Sequence, residues 1–426
     1  MRQFRRQHLA LVLFVVMALT FSTAAMAQKT TISFGVPWGL DVFNGVLLEL
    51  VDAYNAQSDK YRVEIDTGWG PDKLLTAAAG GTGPDVVGVD NPDTVRTLGE
   101  AVLRPIDVMI DRYGIDRGRF LPDSVTQLRG QTYSIKMFVD PNFPLIYNET
   151  LLQESGIGQP PATISELDEV NSKLTRRSND GLVQQLGMLP WNLGDDHLFF
   201  TWGPTFGAAS IWEGDENSGR FKLATDEWHE TFDWIAEYVH RLLPEIGHWG
   251  DRRWYHLDWL IDGNVLMAYH VSPTLARLKE NTPYTWKVAP PLTNPGGSAA
   301  PIWFGGFTFG VGKFTNVEEG AYDFLRFLTW DERASEIIGR TGLIGAYQGS
   351  VAHQVLLENN PEWSDFLAVL PLASGNYYRP PQVNFAAEAT AFMNSVREGG
   401  TVADGLFEME RRLNILAEEA GLQVVR

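Results

Sequence analysis

The chain has 426 residues, with 34 lysines and arginines against 53 aspartates and glutamates, a formal net charge of −19, and no cysteine. That length holds two or three domains, and 44% hydrophobic with 20% charged residues suits a globular protein better than a disordered or multi-span membrane chain. The acidity argues against a nucleic-acid binder, a membrane-surface protein or a polyanion held by charge alone, and the missing cysteines exclude disulfides, thiolate metal sites and thiol nucleophiles.

Residues 1–27 read as a secretory signal. Arg2, Arg5 and Arg6 make a positive start, an apolar run follows from Leu9 to Phe21, and Ala25-Met26-Ala27 is an A-x-A cleavage pattern. The apolar run is shorter than the roughly 20 residues a membrane span needs. Arg5-Arg6 leaves twin-arginine export open beside the general route. With no cysteine at the cleavage point there is no lipid attachment. The expected product begins at Gln28 and is a free periplasmic protein.

Strand and helix patterns then alternate. Thr31–Val36 reads as a strand. Asp41 is a candidate cap for a helix whose apolar face is Val42, Phe43, Val46, Leu47, Leu50 and Tyr54. Arg62–Thr67 alternates as a strand, Lys73–Ala79 is a short helix, and Asp85–Val89 is a compact run suited to a buried parallel strand. This order predicts an α/β domain with a mainly parallel sheet. Thr163 with Glu166, and Asn316 with Glu319, have the spacing of capping boxes. Asp226 precedes a helical stripe of Trp228, Phe232, Ile235, Val239 and Leu242, and the last long helix spans about Thr401 to Ala420. Pro290–Pro301 reads as a surface loop.

Five segments carry a family pattern. They are Asp72–Asp90 (DKLLTAAAGGTGPDVVGVD), Tyr133–Ile157 with Tyr147-Asn148, Trp259–Glu280, Gly305–Glu332, and the pair Pro381-Gln382. In this order they resemble the extracellular solute-binding proteins of bacterial ABC importers, in the group that includes maltose-binding protein. The resemblance covers nearly the whole chain after the signal. It implies a two-lobed periplasmic-binding-protein fold, with a ligand cleft between lobes joined by crossing strands. Lobe one is then expected at residues 28–139 plus 281–329, and lobe two at 140–280 plus 330–426. It also implies a carbohydrate ligand, ABC permease subunits as partners, no cofactor, no catalysis and a monomer.

Open parallel sheets bind ligands beyond the carboxyl ends of their strands. Trp38 and Trp69 follow the first two strands and are candidate sugar platforms or core fillers. Stacking on one sugar face, about 60 Å², contributes roughly 1.5 kcal/mol. Asp90 and Asn91 end the third strand and suit either hydroxyl bridging or a turn before Pro92. Asp140 and Asn142 lie at the first expected crossing, where the family often has a ligand carboxylate; a hinge cap before Pro141 is the other reading. Trp202 and Trp254 are cleft candidates on lobe two, or rings packed under a helix. Many sugar-binding relatives have Trp where Pro273 stands, and His270 replaces a small residue, which leaves His270 and Ser272 as candidates in an altered mode. Trp303, Gly305 with Gly306, and Phe307, at a position often Trp in the family, would face the cleft from lobe one; the glycines would admit a ligand to the backbone or mark a bulge. Arg379, beside Tyr378 and Phe385, is the basic candidate, with a surface ion pair as the alternative.

The rival class is a secreted glycosidase, which needs two carboxylates facing across a sugar. Asp195-Asp196 and Glu213 with Asp215 are available, but no G-x-S-x-G elbow, zinc helix or Walker loop is present. The eight histidines show no ligand spacing, so no metal is expected. Within the binding class, a polyamine, a polyol phosphate and ferric iron remain alternatives. Iron would favour paired tyrosines, but Tyr377-Tyr378 would point to opposite faces of a strand.

Overall fold

The computed structural model describes residues 28–40, 45–89, 92–142, 144–191, 194–208, 210–215, 217–249, 257–270, 274–294, 303–370, 379–380 and 382–425. The expected signal and the helix start at Asp41, Val42 and Phe43 lie outside them.

The first lobe opens with β1 (Thr30–Gly35), α1 (Val46–Gln57), β2 (Tyr61–Asp66), α2 (Pro71–Ala79), β3 (Val86–Val89) and α3 (Pro92–Val102). β1 lies between β2 and β3 and is parallel to both; Phe34 sits in register with Ile65 and Val86. Ile32, Phe34, Val46, Leu47, Leu50 and Tyr54 form the core seam between strand and helix, as the 2.0 and 3.6 periodicities require. A hairpin, β4 (Val125–Leu128) and β5 (Gln131–Lys136), completes one edge.

The chain leaves this lobe through β6 (Phe138–Asn142) and enters β7 (Leu145–Asn148), the centre of a small antiparallel sheet. Lobe two then adds α4 (Ile164–Leu174), α5 (Asp195–Trp202), α6 (Asp226–Ile246), β8 (Met267–Tyr269) and β9 (Trp286–Ala289). The Thr163 hydroxyl accepts from Glu166 N at 3.2 Å, while the Glu166 carboxylate accepts from Ala162 N at 2.8 Å. The reciprocal bond of the capping box therefore reaches one residue beyond the cap. β8 and β9 flank β7, with Ile146 opposite Ala268 and Val288.

The return is made by β10 (Trp303–Gly305) and β11 (Thr308–Gly312). β11 lies antiparallel between β3 and β5 and closes the lobe-one sheet in the order β2-β1-β3-β11-β5-β4. α7 (Glu318–Trp330) and α8 (Glu332–Arg340) follow. The expected box at Asn316 does not form. Val317 is the N-cap without a side-chain bond, and Thr315 instead accepts from Val317 N at 3.0 Å and donates to Asp85 at 2.6 Å. The third crossing, β12 (Ile344–Gly345), leads to α9 (Val351–Asn359), α10 (Phe385–Arg397) and α11 (Val402–Glu419), the last capped by Thr401.

Both lobe boundaries differ from the expected ones. β9 pairs with β7, and Leu292 is in the lobe-two core, so the chain stays in lobe two past residue 281. Ala334, Ile337 and Ile338 of α8 pack in the lobe-one core, so that lobe continues past 329. Sheet pairing and helix packing, which act over long sequence separations, decide these limits.

β6 pairs antiparallel with β10 on one side (Asp140 opposite Gly305) and with β12 on the other (Val139 opposite Ile344). The three crossings among the described residues are thus one small sheet. His353 of α9 braces it, with Nε2 2.8 Å from the Gly345 carbonyl. Burial pulls the His353 imidazole below its ordinary value, outweighing the opposing pull of that carbonyl bond; burial does the same to His197, against the opposing pull of Asp196. A histidine kept neutral by the fold costs stability once the unfolded chain can take up a proton. Stability should therefore be full above about pH 6.5 and be lost as pH falls toward 5. Urea midpoints at pH 7 and pH 5 check this, and His353→Gln, which keeps a donor for Gly345, should show a smaller drop; an unchanged drop removes His353 as a source.

Candidate functional site

β1, β2 and β3 end together, so the segments that follow them emerge on one edge of lobe one. Trp38 leaves β1 and lays its ring on Phe307, centroids 3.6 Å apart and planes 15° apart, with Phe309 edge-on at 6.2 Å. Phe307 is itself buried, 6% exposed, and meets Phe138 of the crossing sheet. Trp38 is thus half-buried with one face packed. A Cβ on Gly88 would come within 3.0 Å of it, so β3 carries glycine where the indole crosses. Trp69 follows β2 and is clamped on several sides. Its Nε1 donates to Asp66 at 2.8 Å, Lys73 Nζ stands 3.8 Å from the ring centroid, and its edge rests on Gly35, where a Cβ would be 2.9 Å away. The Trp69 bond is the main reason the Asp66 carboxyl is held below its usual range.

Gly306 has a cause of its own, independent of ligand approach. Gly306 adopts φ +108°, and a Cβ there would lie 2.2 Å from the Phe138 carbonyl oxygen. The residue is glycine because β6 passes against it. Asp90, Asn91, Trp254, Ser272, Tyr377 and Tyr378 lie outside the described residues. Of Asp140, Asn142 and Trp303 the backbone alone is described, and it places Asn142 opposite Trp303 in the crossing sheet.

Facing this edge is the segment that leads into α10. A cavity of about 390 Å³ lies between the lobes, with Pro71, Thr94, Thr97 and Leu98 on one wall and Arg379, Pro380, Gln382 and Asn384 on the other. That volume falls in the small-molecule range. Asn384 caps α10, accepting from Ala387 N at 3.2 Å, so the positive end of that helix opens on the cavity. Arg379 lies 3.9 Å from Asp196, and its guanidinium carbon stands 4.8 Å from the centre of the Phe200 ring. The adjacent Asp195 pairs with Arg397. A larger groove, about 690 Å³, is lined by Asp168, Glu230, Asp233 and Trp234 among others, all in lobe two, so closing lobes would not enclose it.

Besides Phe307, two sequence candidates belong to the interior. Trp202 is fully buried in the lobe-two core, where its Nε1 donates to the Pro190 carbonyl at 2.8 Å and its ring meets Trp234 and Tyr269. It is not a cleft ring, because the apolar stripe of α5 turns it inward. His270 is 3% exposed and exchanges a hydrogen bond between Nδ1 and the Thr274 hydroxyl. Lys136, by contrast, escaped notice in the sequence. It is 1% exposed and sits opposite Thr308, which is itself opposite Val89 at the end of β3. A single lysine in a polar strand gives no signal of burial. Thr94 and Thr97 were equally illegible as site residues, since threonines in a helix are ordinary, and Asp196 was weighed only as a glycosidase acid.

The cavity offers hydroxyl, amide and guanidinium groups, all able to hydrogen-bond a polar molecule. Among the described residues no group of three or more His, Asp or Glu side chains could hold a metal. No described helix is long and apolar enough to cross a membrane.

A family model described as bacterial extracellular solute-binding protein matches residues 49–365, about three quarters of the chain. Among solved structures, the fold is similar to that of CpMnBP1 with mannotriose bound, at 21% identity and TM-score 0.73, covering 90% of this chain and all of that one. It is also similar to an ABC substrate-binding protein of Listeria monocytogenes in complex with cycloalternan, at 18% identity and TM-score 0.74, covering 93% and 100% of the two chains. The sugar-binding protein MalE of Xanthomonas citri is similar at 18% identity and TM-score 0.73, covering 92% and 98%. At these identities the likeness concerns the two-lobed fold.

The environments of Trp38 and Trp202 should separate in a stability measurement. Trp202→Ala removes a fully buried ring and should cost about 3–5 kcal/mol. Trp38→Ala exposes one stacked face of Phe307 and should cost about 1–2 kcal/mol. Denaturant midpoints on both variants test this, and equal losses would contradict the different burial of the two rings.

Proposed function

The chain belongs to the bacterial extracellular solute-binding proteins, and from that premise we propose that it captures a carbohydrate in the periplasm and hands it to an ABC importer by closing its two lobes. The observation that carries the reading is the cavity between the lobes, walled by Thr94 and Thr97 from one side and by Gln382 and Arg379 from the other. A ligand touching both walls binds the closed form better than the open one, and that difference in affinity drives closure. The permease then meets a closed pair of lobes. The sugar-bound neighbours named above support a saccharide as the ligand.

No bond is made or broken in this scheme. The two acid pairs weighed for a glycosidase are each engaged by cations or backbone amides. Asp195 and Asp196 face Arg397 and Arg379. Glu213 lies 2.8 Å from Arg220 and 3.5 Å from Lys222, and Asp215 accepts from Asn217 N and Ser218 N, each at 2.8 Å. The Arg220 bond holds Glu213, and the Asn217 bond holds Asp215, below the usual carboxylate range. A general acid for glycoside cleavage needs the opposite shift.

The test is a thermal-shift series with mannobiose, mannotriose, maltotriose, single hexoses and polyamines, with product analysis on the same samples. At 1 mM, a sugar bound with micromolar affinity should stabilise the protein by about 4 kcal/mol and be recovered intact. A shift with polyamines alone, or cleaved sugar, would overturn the reading.

A further inference from the structure

The first turn of α5 places two carboxylates side by side, and each has its own guanidinium. Asp195 pairs with Arg397 of α10, while Asp196 lies 3.9 Å from Arg379. Of these four groups, only Arg379 lines the cavity between the lobes, and it is the only charged side chain among the described residues that do so. Asp196 stands behind it. The two side chains are 20% and 19% exposed, so water screens their attraction poorly. The Phe200 ring beneath the guanidinium fixes its plane.

We propose that Asp196 sets the charge selectivity of this site: by compensating Arg379, it makes the cavity accept uncharged sugars and turn away sugars that carry a carboxylate. The inference rests on the carbohydrate reading given above. An isolated arginine in a closing cleft would attract a uronate strongly, because a guanidinium and a carboxylate match in charge and geometry. Here an incoming carboxylate meets Arg379 in front and Asp196 a few ångströms behind. The attraction is largely cancelled, and the cost of stripping water from the anion is left uncompensated. A hydroxyl group has a much smaller desolvation cost on entering the same place, and Arg379 can donate a hydrogen bond to it. Asp195 does not disturb this balance, because Arg397 already neutralises it. Burial also pulls the His197 imidazole, 4.0 Å from Asp196, below its ordinary value, so it adds no competing positive charge near neutral pH.

Asp196→Asn keeps the shape of the side chain and removes its charge. Calorimetric affinities would be measured for mannobiose, mannotriose and maltotriose, and for the same sugars oxidised at a terminal C6 to the uronic acid. The wild-type protein should prefer the neutral form by about tenfold or more, and Asp196→Asn should shrink that preference by about tenfold. Arg379→Gln leaves Asp196 without its partner and should widen the preference. A merely structural ion pair would lower both affinities together and leave their ratio alone. A folded Asp196→Asn protein with a ratio within about twofold of wild type would overturn this inference while leaving the sugar reading intact. If Asp196→Asn does not fold, Arg379→Gln decides, and improved relative binding of the uronate overturns the inference. A wild-type protein that binds none of the neutral sugars overturns the carbohydrate reading and this inference with it.

Discussion

Everything that the proposed closure requires passes through one three-stranded sheet. β6 is its centre, with β10 hydrogen-bonded on one side and β12 on the other, and these are the three crossings between the lobes. Tying the crossings into one ladder leaves a narrow waist about which two cored bodies can turn. Gly306 shows how tight that waist is, since the Phe138 carbonyl occupies the space of its missing Cβ. Each lobe keeps its own core: Ile32, Phe34 and Leu325 belong to one cluster, and Trp202, Trp228 and Trp286 to another. Separate cores let the lobes move as bodies, because motion at the waist breaks few packed contacts.

The fold was legible in the sequence wherever one local rule governs an element. The alternating apolar runs at 31–36 and 62–67 gave β1 and β2 within one residue at each end, and the Thr163–Glu166 spacing marked a helix start. Rules failed where a distant partner decides. Asn316 has the spacing of a cap, but Asp85 recruits Thr315 to that corner instead. The lobe limits near residues 281 and 329 shifted because β9 seeks β7 and α8 seeks α1. Neither preference is written in the local pattern.

The site was legible in a different measure. The rule for open parallel sheets pointed to the edge beyond β1, β2 and β3, the resemblance singled out Pro381-Gln382, and the cavity is lined by Gln382 and Arg379. Tryptophan alone was a poor guide. Among the described residues, Trp191, Trp202, Trp212, Trp228, Trp259, Trp286 and Trp363 are all buried in lobe two. An abundance of indoles, which suggests sugar platforms, mostly built one hydrophobic core. A ring's residue type states what it can stack on; only its neighbours state what it does stack on, as Phe307 does for Trp38 and Lys73 for Trp69. The role of Asp196 was likewise invisible, because Arg379 lies far away in sequence and the pair exists only after folding.

The central claim is that ligand binding closes two preformed lobes about the crossing sheet. Small-angle scattering tests it most directly, on samples with and without a saccharide shown by calorimetry to saturate the protein. The account predicts a smaller radius of gyration in the bound sample with unchanged molecular mass, as the cavity walls at Thr94 and Arg379 come together. An unchanged radius at proven saturation would contradict it.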